Sequence, residues 1–225
     1  ITQENVIRNQ LLIDEGDEFN AILASKSINN IQALNIFKSV DSKIINNESD
    51  SKIIDITVEE KATGEIMAGA GVGTDGSTIS FAIKENNYLG RGIKLKSELT
   101  VSEETIKGQF NVNNPNFRNS DKSINLNVQS LETDKLTDSG YKTNKTGFGF
   151  GTNFEYQDDV FIGLGQDSYY EKIETNSSAS TRQKSQAGNY WDTFVNLDLN
   201  YDKRNQKFRP TDGFKSSYSV NLPVI

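Results

Sequence analysis

From residue 64 to its end the chain alternates apolar and polar side chains, and this period of two limits the possible folds more than any other feature. In residues 93–101, for example, Ile93, Leu95, Leu99 and Val101 alternate with lysine, glutamate and threonine. Successive side chains of a β-strand point to opposite faces of a sheet, so each such segment predicts a strand with one apolar and one polar face. About nine of these segments follow one another between turns, which predicts an antiparallel β-fold.

The alternation does not say which face is inside, because a soluble β-sandwich buries its apolar faces whereas a membrane barrel turns them toward lipid. Strands of roughly nine to eleven residues favour the barrel, since that length suits a tilted membrane crossing. Long polar connections at 132–145 and 174–188 alternate with a short one at 156–158, as outer loops alternate with periplasmic turns. Aromatic residues near strand ends also fit the interfacial girdles of a barrel: Tyr88, Phe117, Tyr156 and Tyr201.

Residues 1–63 have a different pattern and a more acidic balance, with 6 basic and 11 acidic side chains against 18 and 20 in residues 64–225. Apolar residues at three- and four-residue spacing predict one helix from Thr2 to near Gly16 and a second from Asn20 through residue 36. Residues 40–45 and 54–58 then predict two short strands. This order predicts a small α+β module that lacks an opening strand.

The residue types exclude most catalytic chemistry. The chain has no cysteine and no histidine, which removes thiolate nucleophiles, imidazole bases and the usual zinc sites. The net charge of −7 argues against a nucleic-acid partner, and the chain contains no run of the ~18 to 20 apolar residues that a membrane-spanning helix needs. Residues 71–76 match G-x-G-x-x-G, but a strand follows them where a dinucleotide site needs a helix, so we interpret them as a hairpin turn. We therefore expect no enzyme activity, no cofactor and no metal.

Spaced motifs follow one another along nearly the whole chain. They are Thr2–Glu18 (TQENVIRNQLLIDEGDE), Asn35–Val40 (NIFKSV), Ile54–Gly64 (IDITVEEKATG), Asn87–Gly92 (NYLGRG), Asn114–Phe117 (NPNF) and Phe208–Gly213 (FRPTDG). The first three resemble the first helix, the element before the second strand and the exit strand of a polypeptide-transport-associated (POTRA) repeat. The last three resemble barrel turns. Their order resembles the last POTRA repeat and the following barrel of the BamA family of outer-membrane insertases.

The resemblance implies a fold and a function. It implies an α+β POTRA domain at residues 1–63 and, at residues 64–225, the N-terminal part of an antiparallel transmembrane β-barrel, incomplete at about nine strands. It implies assembly and insertion of β-barrel proteins into the bacterial outer membrane, with the POTRA domain in the periplasm. The implied partners are unfolded outer-membrane proteins, accessory lipoproteins of the assembly complex and outer-membrane lipid. Because the family barrel has more strands and a lid-loop motif that this chain lacks, we expect the chain to be a fragment.

The resemblance also implies a lateral gate. In the family the first barrel strand is weakly paired with the last, and a client strand adds to its edge. The glycines of the corresponding strand lower its strand propensity and side-chain packing, although they also suit sheet curvature. An open edge recruits strands through backbone hydrogen bonds. The residues of the implied gate are Glu65, Ile66, Met67, Ala68, Gly69, Ala70, Gly71, Val72 and Gly73.

Two further contacts are implied for the POTRA domain. An edge strand would bind extended segments, and its residues are Ser39, Val40, Asp41, Ser42, Lys43, Ile44 and Ile45. Glu15 falls where the resemblance places an accessory-lipoprotein contact, and a solvated helix end is the alternative interpretation.

Two other functions stay open. A TamA-like or two-partner secretion transporter has the same architecture and differs in partner and cargo. A soluble surface β-sandwich adhesin would instead pack the apolar strand faces as its core.

Overall fold

The computed structural model describes residues 1–46, 52–73, 76–205 and 210–224. The helices are α1 (Glu4–Arg8), α2 (Ala21–Ala33) and α3 (Thr181–Ser185), and a 3-10 turn spans Phe117–Asn119. The strands are β1 (Phe37–Asn46), β2 (Lys52–Glu60), β3 (Gly64–Gly73), β4 (Gly76–Tyr88), β5 (Ile93–Ser102), β6 (Thr105–Asn114), β7 (Ser123–Lys135), β8 (Tyr141–Gln157), β9 (Val160–Thr175), β10 (Gly188–Asp202) and β11 (Lys215–Pro223). Residues 47–50 and 74–75 of two expected turns, and Phe208 and Arg209 of the last motif, lie outside the described residues.

The N-terminal segment, residues 1–63, packs a helix on a pair of strands. The side chain of Asn20 caps α2 by accepting hydrogen bonds from the backbone N–H groups of Ile22 and Leu23. Ile31 and Ile36 are the largest fully buried side chains of the described residues, and they form a core with Val6 and Phe37. β1 pairs with β2 in antiparallel order, and the described part of this segment contains no third strand beside them.

The first helix is shorter than the sequence predicts. α1 ends at Arg8, although the apolar pattern predicts a helix to near Gly16. The backbone N–H of Leu12 donates to the Ser27 hydroxyl of α2 at 2.8 Å. In a continuing α-helix the Leu12 N–H would donate to the Arg8 carbonyl, but here it donates to Ser27. A contact with α2 therefore replaces the last turns of the predicted helix.

The strands β3 to β11 form one antiparallel sheet, which we call the large sheet. Within the described ranges it has nine strands, and their order in space is their order in sequence. The register places apolar residues beside one another, as with Phe110 opposite Val128 and Val128 opposite Phe148. The predicted antiparallel β-fold and its approximate strand number are therefore confirmed.

The two faces of the large sheet differ in exposure. On β8 the apolar-face residues Phe148 and Phe150 are 41% and 51% exposed, whereas Gly147 and Gly149 on the polar face are buried. Side chains crowd on the inside of a curved sheet, so the polar face is the concave one. A β-sandwich would cover the apolar face, and in the described residues the buried apolar cluster lies in the N-terminal segment instead.

The described helices do not include one with the length and apolarity needed to cross a membrane.

Several strands extend further than the sequence predicts. The connection expected at 132–145 is reduced to residues 136–140, because β7 and β8 continue pairing as far as Lys135 and Tyr141. The Lys142 ammonium bonds to Glu132 and Asp134 across the two strands, at 2.8 and 3.2 Å. Cross-strand pairs of opposite charge stabilise the pairing of two strands. The sequence predicts that these polar residues form a loop, but their charge pairs extend β7 and β8 instead.

Two isoleucines of α2 test the core of the N-terminal segment. Ile31 is 0% exposed and Ile22 is 69% exposed. Replacement of Ile31 by alanine should lower the local free energy of unfolding by about 2–5 kcal/mol, because it removes buried methyl groups and leaves a cavity. The measurement is amide hydrogen exchange of α2 in the full-length protein, with Ile22→Ala as the matched control. Equal exchange in the two variants would contradict this packing.

Candidate functional site

The strand implied as the lateral gate is the edge of the large sheet. Residues 65–73 all lie in β3, which is last in the spatial order and pairs with β4. Every residue of β3 is exposed. On the side away from β4, no strand of the described residues pairs with β3.

Three of the residues of β3 on one face are glycines: Gly69, Gly71 and Gly73. A Cβ atom built at Gly71 or Gly73 would have no other atom within 4 Å, and one at Gly69 would be 3.0 Å from the Ser80 hydroxyl. Strands are stabilised by cross-strand side-chain pairs, which these glycines cannot make. At these three positions the attachment of β3 to β4 therefore depends on backbone hydrogen bonds, while apolar residues such as Ile66 lie opposite apolar partners on β4.

The opposite edge of the large sheet is β11, which pairs with β10 from Phe194 to Asp202. The Val224 N–H donates to the Thr193 carbonyl at 2.8 Å and continues this pairing. In the described residues β3 and β11 do not pair with each other. Among the described residues the large sheet is therefore unclosed.

The resemblance also implies binding residues in the N-terminal segment, and these lie at the surface. Residues 39–45 lie in β1, which pairs with β2 on one side, and the part from Asp41 onward is exposed. The Glu15 carboxylate accepts a hydrogen bond from Arg8 Nη1 at 3.0 Å, and Arg8 also bonds to Glu4. Together the two carboxylates raise the pKa of the Arg8 guanidinium. The structure does not bring Glu15, the β1 edge and β3 together into one site.

The N-terminal segment contacts the large sheet at the connection between β4 and β5. The backbone N–H of Gln3 donates to the Gly90 carbonyl at 2.8 Å, and Asn87 Nδ2 donates to the Thr2 hydroxyl at 2.8 Å. A Cβ built at Gly92 would be 3.1 Å from Val6 Cγ1. Gly90 and Gly92 have φ of +70° and +68°, a conformation that glycine adopts without strain. The turn can therefore approach the segment closely.

A second connection, between β6 and β7, contacts the same segment. Asn5 Nδ2 donates to Asn119 Oδ1 at 2.7 Å, and Gln10 Nε2 donates to Asn116 Oδ1 at 3.3 Å. Sequence reasoning identified the motifs at 87–92 and 114–117 as turns but assigned them no contact. The signal was the presence of asparagine in both turns on the side of the sheet where β3 begins.

The Glu60 carboxylate fixes the end of β2, where the N-terminal segment joins the large sheet. Glu60 is the last residue of β2. Its carboxylate accepts hydrogen bonds from the Thr2 side chain, which has the larger effect, and from the Thr2 backbone N–H, and both lower the pKa of Glu60. Three residues later the Thr63 carbonyl accepts from the Asn86 N–H of β4 at 3.1 Å. The chain is therefore tied at the point where β2 ends and β3 begins.

Comparison with known proteins decides the family. The sequence profile of the Omp85 superfamily domain matches residues 87–224, which is more than half of the chain. The chain belongs to the Omp85 superfamily. The match includes the strands β5 to β11 and both turns that contact the N-terminal segment.

Curated Omp85 relatives carry the name outer membrane protein assembly factor BamA. The protein from Neorickettsia risticii is 24% identical over 217 residues, covering 95% of this chain and 29% of the relative. The protein from Buchnera aphidicola is 35% identical over 108 residues, covering 46% of this chain and 17% of the relative. The chain thus spans less than a third of the length of these relatives, and its resemblance to BamA is confirmed.

Two solved structures share the fold. The crystal structure of BamA from Haemophilus ducreyi lacking POTRA domains 1–3 has a TM-score of 0.73 at 19% identity and covers all of this chain and 46% of that one. CdiB from Acinetobacter baumannii has a TM-score of 0.57 at 10% identity and covers all of this chain and 44% of that one. At these identities the likeness concerns the fold alone.

The turn glycines give a test of the contact between the N-terminal segment and the sheet. Gly92→Ala should weaken it by about 1–2 kcal/mol, because a left-handed backbone strains alanine and the new methyl group approaches Val6. Exchange of the Gln3 amide hydrogen in the full-length protein should become about five to thirty times faster. Gly108→Ala is the control, since a Cβ there meets no atom within 4 Å. An unchanged Gln3 exchange rate in Gly92→Ala would show that the contact does not depend on this turn.

Proposed function

We propose that residues 1–63 form a POTRA domain and that residues 64–225 form the N-terminal part of an outer-membrane β-barrel that assembles and inserts other β-barrel proteins. The observation that carries this proposal is the position of β3, a glycine-rich strand at the open edge of an antiparallel sheet whose apolar face is uncovered. Membership of the Omp85 superfamily and the likeness to BamA support it.

The apolar face gives the proposed location. Exposed isoleucine, leucine, valine and phenylalanine side chains recur along the strands of the large sheet, and contact with lipid would remove this surface from water. We place the sheet in the bacterial outer membrane with its concave polar face toward the lumen. The turns at 87–92 and 114–117 then face the periplasm together with the N-terminal segment that contacts them.

The proposed mechanism uses strand pairing without covalent chemistry. β3 acts as the lateral gate, and its free backbone edge templates the terminal strand of an unfolded outer-membrane protein. Weak side-chain packing of Gly69, Gly71 and Gly73 lets the gate release the completed strand. No cofactor or metal enters this mechanism, and we propose no enzyme activity.

The N-terminal segment supplies the other proposed contacts. The exposed part of β1 would bind extended client segments by edge pairing before they reach β3. Glu15, with a highly exposed carboxylate beside Arg8, would contact an accessory lipoprotein. The hydrogen bonds to the turns at 87–92 and 114–119 would hold these surfaces near the periplasmic end of the barrel.

A cysteine crosslink tests the gate. The chain has no cysteine, so an introduced one reports a single position once any cysteines elsewhere in the full-length protein are replaced by serine. In the full-length protein Gly71→Cys, where the side chain meets open space, should form a disulfide with a cysteine in the terminal strand of a client during insertion into vesicles. Asn111→Cys, on the same polar face but on β6 inside the sheet, should not. Equal crosslinking at the two positions would contradict a gate at β3.

The second candidate function is transport by a member of the same superfamily. The likeness to CdiB fits this alternative and is weaker than the likeness to BamA. The reconstituted full-length protein separates the two by its product. An insertase yields a client barrel that stays in the vesicle membrane, whereas a transporter yields a passenger released in soluble form.

A further inference from the structure

Three polar side chains interrupt the apolar face of the large sheet. They are Gln166 and Ser168 of β9 and Thr193 of β10, and we call them the polar trio. Gln166 lies opposite Val195 in register, and both belong to the apolar face. Gln166 Nε2 donates to the Ser168 hydroxyl at 3.3 Å, and the hydroxyl oxygens of Ser168 and Thr193 are 3.1 Å apart. The trio is therefore one connected hydrogen-bonded group on a face that is otherwise apolar.

In the membrane placement proposed above, the polar trio lies at the depth of the lipid chains. On the apolar face of β10, Trp191 stands near one end and Tyr201 near the other, and each has a second aromatic ring beside it. Val195, the partner of Gln166, is two same-face steps from Trp191 and three from Tyr201, or about 13 Å and about 20 Å along the strand. Amphipathic aromatic side chains lie at the level of the lipid headgroups. Gln166 is therefore well inside the hydrocarbon region.

The polar trio leaves the amide of Gln166 incompletely hydrogen-bonded. Ser168 is 2% exposed, so the hydroxyl end of the trio is enclosed, whereas Gln166 is partly exposed. A carboxamide has two N–H donors and a carbonyl oxygen that accepts hydrogen bonds. Among the described residues, the side chain of Gln166 makes only the bond to Ser168. Lipid chains offer no donor or acceptor, and a polar group without a partner is costly among them. The amide therefore favours a partner that supplies both a donor and an acceptor.

A second carboxamide is such a partner, because each of two amides can donate an N–H to the carbonyl oxygen of the other. Copies of one protein insert to the same depth, so a two-fold axis along the membrane normal brings equivalent glutamines to the same height. Phe150 and Val195 lie on either side of Gln166 in register and are 51% and 40% exposed. Their apolar surfaces would pack around the amide pair. Hydrogen bonds between polar side chains also favour association of membrane-spanning segments. The face therefore fits a second copy of itself.

We propose that two copies of this protein associate side by side in the membrane through this face, with their Gln166 amides hydrogen-bonded to each other across a two-fold axis. This inference rests on the membrane placement proposed above, and it does not depend on the insertion of client proteins. Five strands of the large sheet separate β9 from β3. The contact therefore leaves the proposed gate of each copy free.

A crosslink between copies tests this contact. The full-length protein, with any other cysteines replaced by serine, is reconstituted at a low protein-to-lipid ratio into vesicles of phosphatidylethanolamine and phosphatidylglycerol and treated with a short thiol crosslinker. Val195→Cys, beside Gln166, should give crosslinked dimers. Phe110→Cys is the control, because Phe110 lies on the apolar face of β6 and is 42% exposed against 40% for Val195. This control should give few dimers.

The glutamine itself is tested in the Val195→Cys background. Gln166→Leu should lower the yield of crosslinked dimer about five- to tenfold, because it removes two reciprocal hydrogen bonds at a similar side-chain volume. Gln166→Asn keeps an amide and should lower the yield less. The matched control is Gln129→Leu, the same substitution on the polar face of β7, which should leave the yield unchanged.

Equal yields from Val195→Cys and Phe110→Cys would indicate chance encounters and overturn the contact, as would equal yields from Gln166→Leu and Gln129→Leu. Heat-modifiable migration in gels is measured on the same samples, since a closed membrane barrel migrates faster before boiling. A heat-modifiable protein without crosslinked dimers refutes the contact between copies and leaves the proposed function intact. A protein that is soluble without detergent refutes the membrane placement and the contact together.

Discussion

The rest of this structure depends on the backbone hydrogen-bond ladder of the large sheet. Among the described residues, the apolar side chains of its strands are not covered by a protein core. They lie on the exposed face, and the polar side chains and glycines occupy the shielded one. With the apolar face in lipid, as proposed, every strand edge has to be satisfied, and closure of the barrel or a strand from another molecule would satisfy β3. The proposed templating of a client strand by β3 rests on this constraint.

The N-terminal segment contributes a second, smaller constraint. Its own core around Ile31 and Ile36 is conventional, and its contact with the sheet is made mainly by hydrogen bonds of asparagine, glutamine and backbone groups to two turns. Such a polar contact is specific in geometry and modest in free energy. The edge of β1 is thereby oriented relative to the start of β3 without a large apolar interface.

Much of the fold follows from the sequence because the period of two is a local property. The strands and their antiparallel order are predicted from it, whereas the edge position of residues 65–73 was implied by the resemblance to the BamA family. The contacts that involve distant residues are not. α1 ends early because Leu12 bonds to Ser27 of α2, and β7 and β8 run on because Lys142 pairs across the strands with Glu132 and Asp134. The turn at 87–92 was recognised, yet its contact with Val6 depends on how the segment folds back.

The central claim is that the apolar face of the large sheet lies in lipid, and Trp191, the one tryptophan of the chain, tests it directly. In the full-length protein, with tryptophans elsewhere replaced by phenylalanine, brominated lipids should quench the fluorescence of Trp191 strongly. A variant that moves the tryptophan to the polar face of β9, Tyr169→Trp with Trp191→Phe, should be quenched little. Equal quenching of the two, or quenching of the Tyr169→Trp variant alone, would contradict the account.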